Sequence, residues 1–163
     1  MAARVVVESS SVITTRDEAV LYYRTKLARA HTITVGESRV TIVLERDATH
    51  LYSVEADEPI ADEQLVERAL GRGRSERRRF DRARALVMDH VLPSISNHVF
   101  AIQGTGARGR EKVLVHGPSI GDARYMLVAL RRGPGDAFTC TSAYVITHGK
   151  WMEGRRAKPA PFP

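Results

Sequence analysis

Four short β-strand candidates follow one another near the end of the chain. They cover residues 98–103, 111–116, 122–131 and 137–148, and each combines β-branched or aromatic residues with a period close to two. Gly-Pro and Gly-Asp pairs, which favour turns, separate the later candidates. Because short connections favour antiparallel neighbours, this part of the chain predicts an antiparallel four-strand sheet.

The residues before this region predict helices and further strands. Residues 15–30 form the clearest helix candidate, because Thr15 can cap it and Asp17 and Glu18 lie in its first turn. The remaining candidates are a strand at 4–9, a hairpin around Gly36-Glu37, a strand at 49–55, a helix at 60–70, and a helix at 77–96 with a kink or restart at Pro93.

This order of elements predicts an α+β fold, with N-terminal helices and a hairpin packed on the C-terminal antiparallel four-strand sheet. At 163 residues, the chain is long enough to bury a core of its own. We predict an α+β domain at residues 38–150, with residues 1–37 as part of the same unit and residues 151–163 as a flexible tail.

Cysteine content and hydropathy limit the cellular setting. Cys140 is the only cysteine, which excludes an internal disulfide and gives no metal-ligand spacing. No apolar run approaches the length of a membrane helix, and the first residues do not have the pattern of a secretory leader. We therefore expect a cytoplasmic protein, or one delivered there by a phage or toxin system, with no metal, no other cofactor and no membrane partner.

Residues 104–109, GTGARG, have the spacing of a dinucleotide-binding loop. Such a loop must be followed by a helix whose free N–H groups face the pyrophosphate. Residues 111–116 instead alternate with a period of two and end at Gly117-Pro118, which would break a helix. We therefore predict a basic β-hairpin loop at this position.

The net charge of +6 is concentrated in one stretch of the chain. Residues 68–84, hereafter the arginine strip, contain eight arginines and two acidic residues, so the rest of the chain is neutral overall. Guanidinium groups match the geometry of phosphate oxygens, and a cluster without lysine is typical of phosphate binding. The alternative interpretation is a solvated helix face or a linker.

The side chains suited to catalysis are histidine, lysine, arginine and hydroxyl groups. The sequence has no nucleophile-elbow serine and no HExxH motif, and its acidic residues are scattered, so neither a two-metal cluster nor a paired-carboxylate hydrolase is indicated. The remaining groups suit metal-free cleavage of RNA, in which the ribose 2′-OH attacks the adjacent phosphorus. The protein then supplies only a base, an acid and positive charge on the phosphoryl oxygens.

The order of several segments resembles the barnase/EndoU/colicin/RelE-type RNase superfamily, in its phage and polymorphic-toxin branch. The segments are VTIVLERDATHLY (40–52), RRFDRARALVMDHVLPSISN (78–97), REKVLVHG (110–117), ARYMLVALRR (123–132) and FTCTSAYVI (138–146). The resemblance covers about residues 38–148. It implies a metal-independent endoribonuclease, and with it a cognate inhibitor or immunity protein as a candidate partner.

The resemblance assigns catalytic roles to particular residues. His50, at the end of an early strand, corresponds to the proton-transfer group, and imidazole titrates near neutrality. Lys112 or Arg110 would hold the non-bridging oxygens, and Thr141 or Ser142 would orient the phosphate. In a regular strand Thr141 and Ser142 point to opposite faces, and we favour Thr141 as the polar one.

Two other classes of function remain open from the sequence. The chain could be a non-catalytic nucleic-acid-binding module, or a virion or interaction protein whose arginines meet an acidic partner. For the enzyme the expected ligand is RNA, with tRNA as one candidate, and for the binding module it is RNA or DNA. The predicted nucleic-acid-binding residues are Arg72, Arg74, Arg77, Arg78, Arg108 and Arg124.

Overall fold

The computed structural model describes residues 10–105, 111–135 and 137–163. The chain divides into two compact units, of which the first comprises Met1–Ala28 and Arg46–Asp89. The second comprises Arg29–Glu45 and His90–Pro163. The strand predicted at residues 4–9 lies outside the described residues.

The first unit begins with the helix that the sequence predicts. Helix α1 spans Arg16–Tyr22 and continues as a π-helical turn over Tyr23–Leu27. The Thr15 side chain caps it by accepting a hydrogen bond from the Glu18 N–H at 3.3 Å.

A three-stranded antiparallel sheet forms the other part of the first unit. It contains β3 (Ser53–Glu55), β4 (Leu65–Gly71) and β5 (Arg74–Phe80), in the order β3-β5-β4. The helix predicted at residues 60–70, and the start of the helix predicted at 77–96, are therefore wrong. The burial along β5 alternates, but one of its buried positions is an arginine, which a hydropathy pattern cannot recognise as inward-facing.

The rest of the predicted helix at 77–96 is broken into short pieces. Helix α2 spans Arg82–Ala85 and is capped by Asp81, whose carboxylate accepts from the Arg84 N–H at 3.2 Å. A 3₁₀ turn at Met88–His90 leads to α3, Val91–Ser96. Pro93 lies in the first turn of α3, where no backbone N–H is required, so the restart expected near this proline is present.

The second unit is built on a sheet of six strands within the described residues. They are β1 (Ala30–Val35), β2 (Ser38–Val43), β6 (Phe100–Thr105), β7 (Glu111–Gly121), β8 (Arg124–Arg132) and β9 (Ala137–Thr147), in the order β1-β2-β9-β8-β7-β6. The four predicted C-terminal strands are all present and antiparallel. The predicted hairpin β1–β2 extends the same sheet, because β2 pairs with β9 in parallel.

The second unit has buried apolar side chains on both faces of this sheet, with a cluster of Leu127, Ile146 and Trp151 on one face and a second group on the other. Val128 and Leu130 on β8 and Phe138 on β9 are at most 1% exposed there. Helix α3 contacts β7, β8 and β1, and its Val91 and Ile95 are buried. The α+β class is therefore confirmed, although the sheet is larger than predicted.

The segment predicted as a flexible tail forms helix α4, His148–Arg156, and then contacts the sheet. Trp151 is 6% exposed, stacks on Tyr125 at 4.7 Å and donates its indole N–H to the Gly117 carbonyl at 3.0 Å. Beyond the helix, the Ala160 N–H donates to the Ala101 carbonyl at 2.7 Å. The single tryptophan explains the error, because it gives an otherwise polar segment one strong apolar anchor.

Among the helices that the described residues form, none has the length and apolar character needed to cross a membrane.

Candidate nucleic-acid interface

The β4–β5 hairpin carries most of the arginine strip, and strand register fixes where each side chain points. Arg78 lies opposite Val66 on β4 and Glu55 on β3, and Arg68 lies opposite Glu76. Because successive side chains of a strand point to opposite faces, Arg77 and Arg79 lie on the face away from Arg78. The strip is therefore divided between an inner and an outer face.

Arg78 is part of the interior of the three-stranded sheet. It is 6% exposed, and its Nε donates to the Ser53 hydroxyl at 2.9 Å. One terminal nitrogen donates to the Ser53 carbonyl, and the other donates to the Glu76 carboxylate, both at 3.1 Å. Because these hydrogen bonds are made within the fold, we remove Arg78 from the predicted nucleic-acid-binding residues.

Four exposed arginines are hereafter called the hairpin arginines: Arg77 and Arg79 on the outer face, and Arg72 and Arg74 at the tip of the hairpin. Arg72 is at the tip of the hairpin with φ of 54°, between Gly71 and Gly73 at 82° and 72°. Within the described residues, no carboxylate oxygen lies within 4 Å of any of these guanidinium groups. The hairpin therefore presents four positive charges to solvent without a direct ion pair, and an acidic residue, Glu67, lies opposite one of them, Arg77.

The sequence-based prediction did not include Arg79 among the binding residues. An interpretation of this segment as a helix gives no reason to place Arg77 and Arg79 on the same face. As a strand with a period of two, the same residues fall on one face.

The other arginines of the strip make contacts within the first unit. Arg68 lies 3.8 Å from the Glu76 carboxylate. Arg82 donates to the Ile13 carbonyl at 3.1 Å, and Arg84 donates to the His50 carbonyl at 2.9 Å. Their charges stabilise the unit and are less available to a ligand.

His50 does not lie at the end of a strand but in the 3₁₀ turn Thr49–Leu51. Its side chain is 9% exposed, and neither ring nitrogen has a hydrogen-bond partner among the described residues. Burial is the main cause that lowers the pKa of His50 to about 4, and the nearby Arg68, Arg78 and Arg84 contribute in the same direction. The expectation that this imidazole titrates near neutrality is therefore wrong.

The predicted catalytic residues belong to different units. His50 is in the first unit, whereas Lys112, Thr141 and Ser142 are in the second. Within the second unit, Lys112 pairs with Arg131 on β8, and Arg131 pairs with Thr139 on β9. Paired residues of adjacent strands share a face, so these three side chains form one polar row.

A β-bulge in β9 changes the expected directions of Thr141 and Ser142. Cys140 pairs with Leu130 and Ser142 with Ala129, which leaves Thr141 as the extra residue. The Thr141 hydroxyl donates to the Ala129 carbonyl at 3.2 Å. Ser142 therefore lies on the face of Lys112 and Arg131 and no longer on the face of Cys140, so the regular alternation that favoured Thr141 does not hold.

The remaining predicted residues are Arg124, Arg108 and Arg110. Arg124 is exposed at the start of β8, at the opposite end of that strand from Arg131. Arg108 and Arg110 lie outside the described residues. No group of three His, Cys, Asp or Glu side chains suited to a metal ion occurs in the part of the chain that the structure describes.

The face that carries Lys112 and Ser142 also has an apolar hollow of about 620 Å³, which helix α4 borders on one side. Ile102, Leu114 and Leu127 contribute aliphatic side chains to it, and Tyr144 contributes an aromatic one. Lys150 and Glu153 of α4 also line it, with their charged atoms 4.0 Å apart.

A comparison with known protein families, curated proteins and solved structures found no match to this chain.

Proposed function

We propose that this protein binds nucleic acid, with the hairpin arginines contacting the phosphate backbone. The observation that carries the proposal is the exposure of Arg72, Arg74, Arg77 and Arg79, none of which forms an ion pair with a carboxylate in the described part of the chain. Such a group attracts a polyanion, because each phosphate contact releases condensed counterions. An acidic protein is a weaker match, because guanidinium pairs at a surface contribute little where both charges stay solvated.

The geometry of the hairpin favours backbone contacts. Arg77 and Arg79 are two residues apart on one strand, which places their Cα atoms about 7 Å apart. The spacing of successive phosphates in an extended single strand is of the same order, so each guanidinium can meet its own phosphate. We therefore propose RNA as the ligand, which is also the ligand that the sequence resemblance implies.

The test is a fluorescence-anisotropy titration with a labelled single-stranded RNA of mixed sequence. Replacing all four hairpin arginines with glutamine should weaken binding by at least a hundredfold near 0.1 M salt. The charge-matched control replaces Arg24, Lys26, Arg39 and Arg46, four exposed cations outside the hairpin, and should retain most of the affinity. Equal losses in both variants, or no binding by the wild-type protein, would refute the proposal.

Metal-independent RNA cleavage is the second candidate function. The observation in its favour is that Lys112, Arg131 and Ser142 share one face, where they could hold a scissile phosphate. An enzyme of this type would cut RNA in the presence of EDTA and leave 2′,3′-cyclic phosphate ends. Lys112→Ala should then slow cleavage far more than it weakens binding, and RNA that stays intact would exclude this function.

A further inference from the structure

The aromatic ring of Tyr144 is the most distinctive feature of the apolar hollow on the second unit. This residue is 38% exposed, and no ring contact to it occurs among the described residues. By contrast Tyr125, which lies on the same face two residues before Leu127 on β8, stacks on Trp151 at 4.7 Å. Tyr144 thus offers a stacking surface beside the aliphatic side chains of Leu114 and Leu127.

The size and lining of the hollow fit a planar organic ring. Its volume of about 620 Å³ lies within the range of small-molecule sites. At its rim, the ammonium of Lys150 and the carboxylate of Glu153 are 73% and 69% exposed. They provide one donor and one acceptor for the polar edge of a ring.

Cationic groups lie at a defined distance from the hollow on the same face. Lys112 is two residues from Leu114 along β7, which corresponds to about 7 Å, and Arg131 is four residues along β8 from Leu127, the partner of Tyr144, which corresponds to about 13 Å. Arg131, its partner on β8, lines a second hollow of about 430 Å³ together with Thr139 and Arg132. Glu111 also lines this second hollow, and it accepts a hydrogen bond from the Gln103 amide at 2.9 Å.

One class of ligand matches both parts of this face. A nucleotide has a planar ring that stacks on aromatic side chains, and its phosphate, one pentose from the ring, would lie within reach of the long Lys112 and Arg131 side chains. An inorganic anion would leave the apolar hollow unused, and a hydrocarbon chain would gain nothing from a stacking ring.

We propose that the second unit binds one unpaired nucleotide, with the base in the apolar hollow against Tyr144 and the phosphate against Lys112 and Arg131. This inference rests on the proposed nucleic-acid binding for its choice of ligand, but it uses none of the hairpin arginines. Ser142 and Thr139 add hydroxyl groups on the phosphate side. The site would select single-stranded nucleic acid, because a paired base cannot enter the hollow.

The experiment compares adenosine 5′-monophosphate with adenosine and with inorganic phosphate, followed by amide chemical shifts on the full chain. The nucleotide should shift the amides of Leu114, Leu127 and Ser142. Tyr144→Ala should weaken both the nucleotide and the nucleoside about tenfold, whereas Tyr144→Phe should preserve binding of both. Lys112→Gln should weaken the nucleotide about tenfold and leave adenosine unchanged.

Lys26→Gln removes an exposed lysine of the first unit and serves as the charge control. Well-dispersed amide spectra of each variant show that it is folded. The inference is overturned if millimolar nucleotide shifts none of these amides, if Tyr144→Ala binds as tightly as the wild type, or if phosphate alone binds as tightly as the nucleotide.

The two proposals fail in different ways. The variant that lacks the four hairpin arginines should lose RNA affinity and still bind the mononucleotide. Loss of mononucleotide binding in that variant would contradict the independence of the two sites. RNA binding that depends on the hairpin, with no mononucleotide binding at all, would refute the nucleotide site and leave the proposed function in place.

Discussion

At the centre of β8 in the second unit, the buried positions are filled by apolar side chains such as Val128 and Leu130. At the centre of β5 in the first unit, the buried position between Glu76 and Phe80 is filled by Arg78. One sheet is stabilised chiefly by apolar burial, and the other depends in part on a hydrogen-bonded charge. Arginines that are adjacent in sequence can therefore have different roles: one stabilises the fold, and the next is exposed at the surface.

The largest effect on stability is expected for the apolar side chains of the second unit. Phe138→Ala should lower the free energy of unfolding by about 3–5 kcal/mol, because the side chain is 1% exposed and its removal leaves a cavity. Leu70→Ala, in the β4–β5 hairpin, removes a side chain that is 49% exposed and should change stability by less than about 0.5 kcal/mol. Urea unfolding followed by circular dichroism measures both, and similar losses would contradict the assigned burial.

For the charged side, Arg78→Ala should lower the free energy of unfolding by about 3 kcal/mol. The substitution leaves the Glu76 carboxylate and the Ser53 carbonyl without the guanidinium that now satisfies them. Arg77→Ala, one residue earlier on the exposed face, is the matched control and should cost less than about 0.5 kcal/mol. If the two variants unfold at the same urea concentration, the inward placement of Arg78 is wrong.

The buried histidine gives the first unit a pH dependence. The pKa of His50 is lowered to about 4 in the folded protein from 6.5, so the unfolded chain binds a proton more readily between these values. Stability from this group is therefore complete above pH 6.5 and is lost as the pH falls toward 4, by about 3 kcal/mol in all.

His50→Gln should flatten the dependence of unfolding free energy on pH between 4 and 6.5, as measured by urea titrations at several pH values. Parallel curves for the two proteins would mean that His50 titrates normally. If His50 is also the base in RNA cleavage, the rate should fall only below pH about 4, because the neutral imidazole is the active form.

A smaller effect is expected where helix α4 meets the sheet. A Cβ at Gly154 would lie 2.6 Å from the Nε2 atom of His116, a residue that is 3% exposed. Gly154→Ala should therefore destabilise the protein by about 1–3 kcal/mol. Gly149→Ala in the same helix has no atom nearer than 3.9 Å and should stabilise it by about 0.5 kcal/mol. Thermal unfolding of the pair tests this, and an equal shift in both would show that α4 does not pack closely on His116.

The sequence predicted the second unit well because its pattern is local. The strands at 98–148 and the hairpin at Gly36-Glu37 alternate clearly and are separated by turn residues, so period and propensity agree. The parallel pairing of β2 with β9 joins segments that are distant in sequence, and no local pattern specifies it.

The first unit and the site were harder to predict for physical reasons. A buried arginine breaks the hydropathy pattern of β5, and this led to the incorrect helix. The bulge at Thr141 shifts the following residues by one position, so the alternation of a regular strand assigned Ser142 to the wrong face. The lowered pKa of His50 depends first on its burial and then on three arginines, all of which result from folding.

The most direct test of the division of the arginine strip is the salt dependence of RNA affinity for Arg77→Gln and Arg78→Gln, measured well below the unfolding midpoint of each. Arg77→Gln should reduce the slope of log K against log salt by about 0.7, the value for one phosphate contact on a single strand, without lowering stability. Arg78→Gln should lower stability and leave the slope unchanged. Equal slopes in Arg77→Gln and the wild type, with a reduced slope in Arg78→Gln, would contradict the assignment of the outer face as the nucleic-acid interface.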